Sequence, residues 1–140
     1  MGVGSTEVIV DLSFEHLDLV VSASRLVCPA TGLDGPGVVG VRDGLIEFIE
    51  MGPGGIEHLT AHESLVVEDG ILLPGLIDLH AHPAVSGSKF GIDADRDLLP
   101  KGSTTVLSQG DAGSRNLDRY IEETIRGSRT RVKLAVNFCA

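Results

Sequence analysis

The chain has 140 residues, 42% of them hydrophobic, which is the size of one ordinary domain and enough apolar content to bury a core. Eleven basic against twenty acidic residues leave a net charge of -9, which repels phosphate backbones and anionic lipid surfaces and argues against nucleic-acid or membrane partners. No apolar run reaches a membrane span or a signal peptide, and Cys28 and Cys139 lack metal-binding or disulfide spacing, so a cytoplasmic protein with free thiols is expected.

Residues 1–16 mix Gly, Ser and acids around the short run Val8-Ile9-Val10 and read as a loosely held extension. From Leu17 the chain turns to short β-prone runs: Leu17 to Val21, Arg25 to Val27, Val38 to Val41, Leu45 to Ile49 and Leu65 to Val67. Thr31 to Gly37 and Pro53-Gly54-Gly55 break them, and eighteen glycines with no Trp fit a turn-rich protein with a Leu, Val and Ile core. Asp43-Gly44, set between Val41 and Leu45, predicts a hairpin, because a type I′ turn needs positive φ and Asp-Gly adopts it at little cost. Residues 17–73 are therefore expected to form part of a small β-sandwich.

After Gly70 the pattern changes. Ile71 to Leu79 is apolar nearly throughout, as in a strand covered on both sides, and Thr104 to Leu107 and Val132 to Phe138 are similar runs. Between them, Ile92 to Leu99 predicts a short helix closed by Pro100. Leu117, Tyr120, Ile121 and Ile125 share a face of a second helix, with Ser114 or Asn116 as N-cap and Gly127 past its end. Strand, helix, strand, helix, strand implies a parallel sheet with right-handed crossovers, where ligands gather at the C-terminal strand ends.

His80-Ala81-His82 stands at such an end. Side chains alternate along a strand, so Asp78, His80 and His82 are expected on one face, with neighbours about 7 Å apart. Two neutral imidazoles on one rigid strand are an efficient half-site for a transition metal. Alone, the tripeptide is weak, since two histidines recur by chance; within Pro74 to Pro83 the metal reading prevails over the competing one of two polar residues capping a strand. Asp78, one step deeper, is expected to accept a hydrogen bond from a ligand imidazole and set its tautomer, the competing reading being a solvated turn carboxylate. His58 and His62, flanked by Glu57 and Glu63, read as a solvated acidic loop rather than a helical metal pair.

Asp18 to Val21, Pro29 to Gly32, Val41 to Gly44, Pro74 to His82 and Gly102 to Val106 together resemble the N-terminal part of an amidohydrolase-superfamily enzyme. Gly91 to Asp95 and Ser128 to Val132 resemble its deacetylase branch, related to dihydroorotases and aminoacylases. The resemblance implies an α/β fold, a (β/α)₈ TIM barrel flanked by a small β-sandwich. Residues 74–140 would be the start of that barrel, incomplete at its first three strands. It further implies a hydrolase acting on carbon–nitrogen bonds other than peptide bonds, with a small-molecule amide or cyclic amide as substrate. One or two divalent metals, commonly zinc, would supply the activated hydroxide, and His80 and His82 would be first-strand metal ligands.

The superfamily's bridging Lys or acid, later histidines and last-strand Asp have no counterparts here: Lys89 and Lys101 fall in loops, and Lys133 lies near the wrong end of its strand. Gln109 and Asp111 are placed on the substrate rim after the second barrel strand, Asp111 either touching substrate or capping the next turn. Asn137 and Cys139 share a face at the end of the third, where either is placed to line the substrate pocket of an intact barrel. A barrel takes about 250 residues. A three-strand slice would expose an apolar edge and require a second copy or a missing C-terminal portion, which makes a piece of a longer enzyme the expected identity. The alternative is a non-catalytic relative acting as a partner-binding module.

Overall fold

The computed structural model describes residues 16–53, 56–86 and 88–138. The extension with Val8-Ile9-Val10, the glycines of Pro53-Gly54-Gly55 and Cys139 lie outside the described residues. The chain divides after Leu73 into two compact units.

In the first unit, β1 (Leu17–Cys28), β2 (Leu33–Arg42), β3 (Leu45–Met51) and β4 (Ala61–Leu72) form one sheet in the order β3-β2-β1-β4. The β1–β2 and β2–β3 pairs are antiparallel and β1–β4 is parallel. The expected hairpin is present: Arg42 pairs with Leu45, and Asp43 (φ 51°) and Gly44 (φ 72°) take the two left-handed conformations of a type I′ turn. Where the sequence predicted strands at Leu17 to Val21 and at Arg25 to Val27, the structure has one strand with an irregularity between Ala23 and Leu26. Side-chain contacts flank that irregularity: Ser24 donates to the Glu68 carbonyl (2.6 Å), and Arg25 forks onto Asp34 (2.8 and 2.9 Å).

The described strands of this unit all lie in that one sheet, and the second layer that would complete a sandwich is not among the unit's described residues. The core of this unit is Leu17, Val20 and Val38, with Phe48, Ile56, Leu59 and Ala61 packed against it. Leu45, Ile46, Leu65 and Val66 remain exposed, as expected of a sheet without a facing layer.

The second unit is a parallel sheet in the order β5-β6-β7, made of β5 (Leu76–Ala81), β6 (Ser103–Gly113) and β7 (Arg131–Asn137). The β5–β6 connection carries α1 (Ala94–Asp97) and a 3₁₀ turn (Leu99–Lys101); the β6–β7 connection carries α2 (Leu117–Tyr120), continued by a π-helical turn (Ile121–Ile125). Strand, helix, strand, helix, strand is thus the observed order. Val106 and Val132, paired across β6 and β7, form the core with Ala81, Ala84, Ala94, Ala112 and Tyr120.

Three local expectations are corrected. The apolar run Ile71 to Leu79 is two strands, because Pro74 has no N–H to continue a ladder; β4 stops at Leu72 and β5 begins at Leu76. Nor is β5 covered on both sides. It is an edge strand whose Leu76, Ile77 and Leu79 are 50 to 68% exposed. Pro100 does not close a helix but sits in the first turn of the 3₁₀ segment, where its missing N–H costs nothing.

Asp93 caps α1, accepting from the backbone N–H groups of Asp95 and Arg96. Asp95 then reaches across to the start of β7. Its Oδ2 accepts from Arg129 N, and its Oδ1 from both N and Oγ1 of Thr130, each at 2.7 Å. The two segments that resembled the deacetylase branch therefore meet through this carboxylate, which ties the first crossover to the third strand. The Thr130 hydroxyl and the backbone donors hold the Asp95 carboxyl below its ordinary pKa.

Candidate metal centre

His80 lies near the end of β5 and His82 just beyond it. Their ring centroids are 5.6 Å apart with planes inclined at 64°. Simple alternation does not carry through from Asp78, because the β5–β6 register shifts between Asp78 and Ala81. Asp78 turns back on its own strand instead, its Oδ1 accepting from His80 N at 3.0 Å. The hydrogen bond expected from Asp78 to an imidazole is therefore replaced by one to backbone, of the local kind an Asp makes two residues on.

The carboxylate that meets an imidazole is Asp111. Its Oδ1 lies 3.0 Å from His82 Nδ1, and its Oδ2 accepts from Ser108 Oγ at 2.6 Å. The Asp111 side chain is 1% exposed and that of His82 is 42% exposed, so the carboxylate is sealed inside while part of the imidazole faces solvent. With Nδ1 turned to Asp111, Nε2 is the nitrogen left to act outward.

Backbone contacts fix the same corner. Ile92 N donates to the His82 carbonyl (3.0 Å), and the buried Tyr120 hydroxyl donates to the Pro83 carbonyl (2.6 Å). Burial, and after it the nearby Asp111 carboxylate, raise the Tyr120 phenol above its ordinary pKa. Gln109 Nε2 donates to the Leu79 carbonyl (2.7 Å), so the amide placed on a substrate rim is engaged in holding β5 to β6. Asn137 is exposed at the end of β7. Asn116 stands at the N-cap position of α2 without capping it; its side chain bonds Gly113 N and the Asp111 carbonyl, both at 2.9 Å.

The role of Ser108 and Tyr120 around His82 was not legible in the sequence, since neither belongs to a motif with the histidines. Gly110 was the available signal. A glycine at φ 88° inside an apolar strand marks a bulge.

The chemistry of the donors fits a divalent metal in part. Two adjacent imidazoles, one oriented by a buried carboxylate, form half of the tetrahedral set zinc takes. Among the described residues no group of three or more His, Cys, Asp or Glu side chains is arranged to hold a metal. Away from this corner, His62 is in β4 rather than on a helix with His58, and its ring stacks on His16 with centroids 5.9 Å apart.

A parallel sheet with helices between its strands and two histidines at a C-terminal strand end defines an α/β unit of the βαβ kind, in which ligands gather at that end of the strands. The chain's fold is shared with amidohydrolase-superfamily enzymes, whose members are its structural neighbours. A dihydroorotase superposes with a TM-score of 0.67 at 23% identity, over 85% of this chain and 30% of that one. An N-acyl-D-glutamate deacylase of Bordetella bronchiseptica, complexed with zinc and a phosphonate inhibitor, gives a TM-score of 0.62 at 20% identity, over 89% of this chain and 30% of that one. In sequence, a deacetylase of Agrobacterium fabrum is 34% identical over 64 residues, 46% of this chain and 16% of that protein. No protein-family model matches. The chain therefore spans under a third of the length of these solved structures and about a sixth of that relative.

Proposed function

We propose that this chain supplies the first two metal ligands, His80 and His82, of a hydrolase acting on carbon–nitrogen bonds of small amides or cyclic amides. In this reading β5, β6 and β7 are the first three strands of a (β/α)₈ barrel, and the sheet of residues 17–73 is part of the domain flanking it. The observation that carries it is the pair of adjacent imidazoles at the end of a parallel strand, one held by a buried carboxylate. Two imidazoles are half of a tetrahedral zinc site, and among the described residues no third His, Cys, Asp or Glu joins them in a metal-holding group. Imidazole donors suit zinc among the transition metals, and zinc is the metal complexed in the Bordetella deacylase. When bound, such a metal polarises a carbonyl oxygen and acidifies water. The chain's own part is to hold His82 in one orientation and His80 beside it. The acidic charge and the two widely spaced cysteines support a cytoplasmic setting.

A second reading rests on a different observation. Both edges of the three-stranded sheet carry exposed apolar side chains: Leu76, Ile77 and Leu79 on β5, and Val136 on β7 with Phe138 just past it. Such edges suit strand addition by a partner, as a non-catalytic module would require.

The product of the whole open reading frame, loaded with Zn²⁺, is assayed on N-acetyl amino acids and cyclic imides, with and without His82→Ala. The hydrolase reading predicts turnover that falls at least about 100-fold in the variant, as loss of a metal ligand demands. Turnover unchanged by the substitution, or none on any amide in a zinc-loaded protein, contradicts it and favours the module.

A further inference from the structure

We propose that Asp111, backed by Ser108, is a positioning residue that holds His82 as the Nδ1–H tautomer and thereby commits its Nε2 to the metal. The proposal rests on the ligand reading of His82 for its purpose, though not for its geometry. Its origin is the irregular end of β6. Between Gln109, paired with Ala135, and Gly113, paired with Asn137, β6 uses four steps where β7 uses two, so two extra residues are looped into the strand. Gly110, at φ 88°, takes the conformation this bulge needs, and the residue that follows it is turned to the His82 ring.

The bulge is held at several points. The Asp111 carbonyl accepts from Asn116 Nδ2, whose own Oδ1 accepts from Gly113 N. Of the carboxylate oxygens, Oδ2 accepts a hydrogen bond from the Ser108 hydroxyl, which leaves Oδ1 to accept from a donor on the His82 side. Ser108 and the Asp111 side chain are both shut off from water, so the imidazole is the partner available to that oxygen. A carboxylate oxygen can only accept, so in the neutral imidazole Nδ1 carries the proton and Nε2 the lone pair. Since Ile92 N also pins the His82 carbonyl, neither the ring nor its backbone needs to reorganise when a cation arrives.

The test is long-range ¹H–¹⁵N spectroscopy of the histidine side chains in the metal-free chain at about pH 8, where an ordinary His is neutral. His82 is expected as the Nδ1–H tautomer, against the Nε2–H form that free imidazole side chains prefer, with exposed His58 as internal reference. Asp111→Ala is expected to return His82 to the reference pattern and to weaken Zn²⁺ binding about 10- to 100-fold. An Nε2–H tautomer in the wild-type chain overturns the proposal whether or not the variant folds, and so does a folded Asp111→Ala chain with an unchanged tautomer. A wild-type Nδ1–H tautomer that Asp111→Ala abolishes, in a chain that takes up no Zn²⁺, upholds the positioning role and defeats the metal-ligand reading, so the two failures are distinct.

Discussion

Replacing Asp95 by Ala removes the acceptor for three hydrogen bonds at 2.7 Å, two of them from Thr130, which is 2% exposed. Water can replace the carboxylate at the exposed Arg129 N–H, but the Thr130 amide and hydroxyl are left buried without it. Bonds to a charged acceptor contribute about 1.5–3 kcal/mol each, and an unpaired buried donor costs about 1–3 kcal/mol. Discounting for partial exposure of Asp95 itself, the expected loss is about 2–4 kcal/mol, much of what a unit this small can hold. Tyr120 is the chain's single Tyr, there is no Trp, and Tyr120 is buried in this same unit, so tyrosine fluorescence follows its unfolding. With a urea slope of about 1 kcal/mol/M, the midpoint should fall by about 2 M or more, or the unit should already be unfolded without urea. A midpoint within about 0.3 M of wild type would refute the claim that Asp95 ties the first crossover to β7.

The same carboxylate gives a pH dependence. Its pKa is lowered in the folded chain, so its stabilisation is fully present above the unfolded value of about 3.9 and disappears as pH falls through the folded value. Asp95→Asn should remove that part of the acid unfolding curve while leaving the rest, as tyrosine fluorescence from pH 6 downward would show. Tyr120→Phe deletes the hydroxyl that bonds the Pro83 carbonyl and should destabilise the second unit by about 1–2 kcal/mol in a urea titration followed by circular dichroism. Gly44→Val forces a β-branched residue to φ 72° at the hairpin turn and should cost about 1–2 kcal/mol, seen as a lower melting temperature of the first unit. Arg25→Ala, which breaks an exposed ion pair in that unit, should leave the Tyr120 unfolding transition where it is.

What the sequence disclosed was mostly local. Asp43-Gly44 dictates its turn without outside help, and the alternation of apolar runs with helical periodicity announced the βαβαβ order. Contacts set by partners far along the chain were hidden. Ala61 to Ser64 carries little β signal, yet it is strand because Leu17 to Val20 offers a parallel ladder. Asp111 read as a rim residue because counting along a regular strand cannot foresee two residues looped out of the ladder around Gly110. Asp78 misled for the complementary reason: the irregularity of β5 lets its carboxylate bond the nearest backbone N–H before any ring.

The assignment of His80 and His82 as metal ligands can be checked by equilibrium dialysis of the chain against Zn²⁺. The wild-type chain should bind one equivalent weakly, in keeping with an incomplete ligand set, and the chain carrying both His80→Ala and His82→Ala should bind none at that site. An unchanged zinc stoichiometry in the double variant would contradict the account.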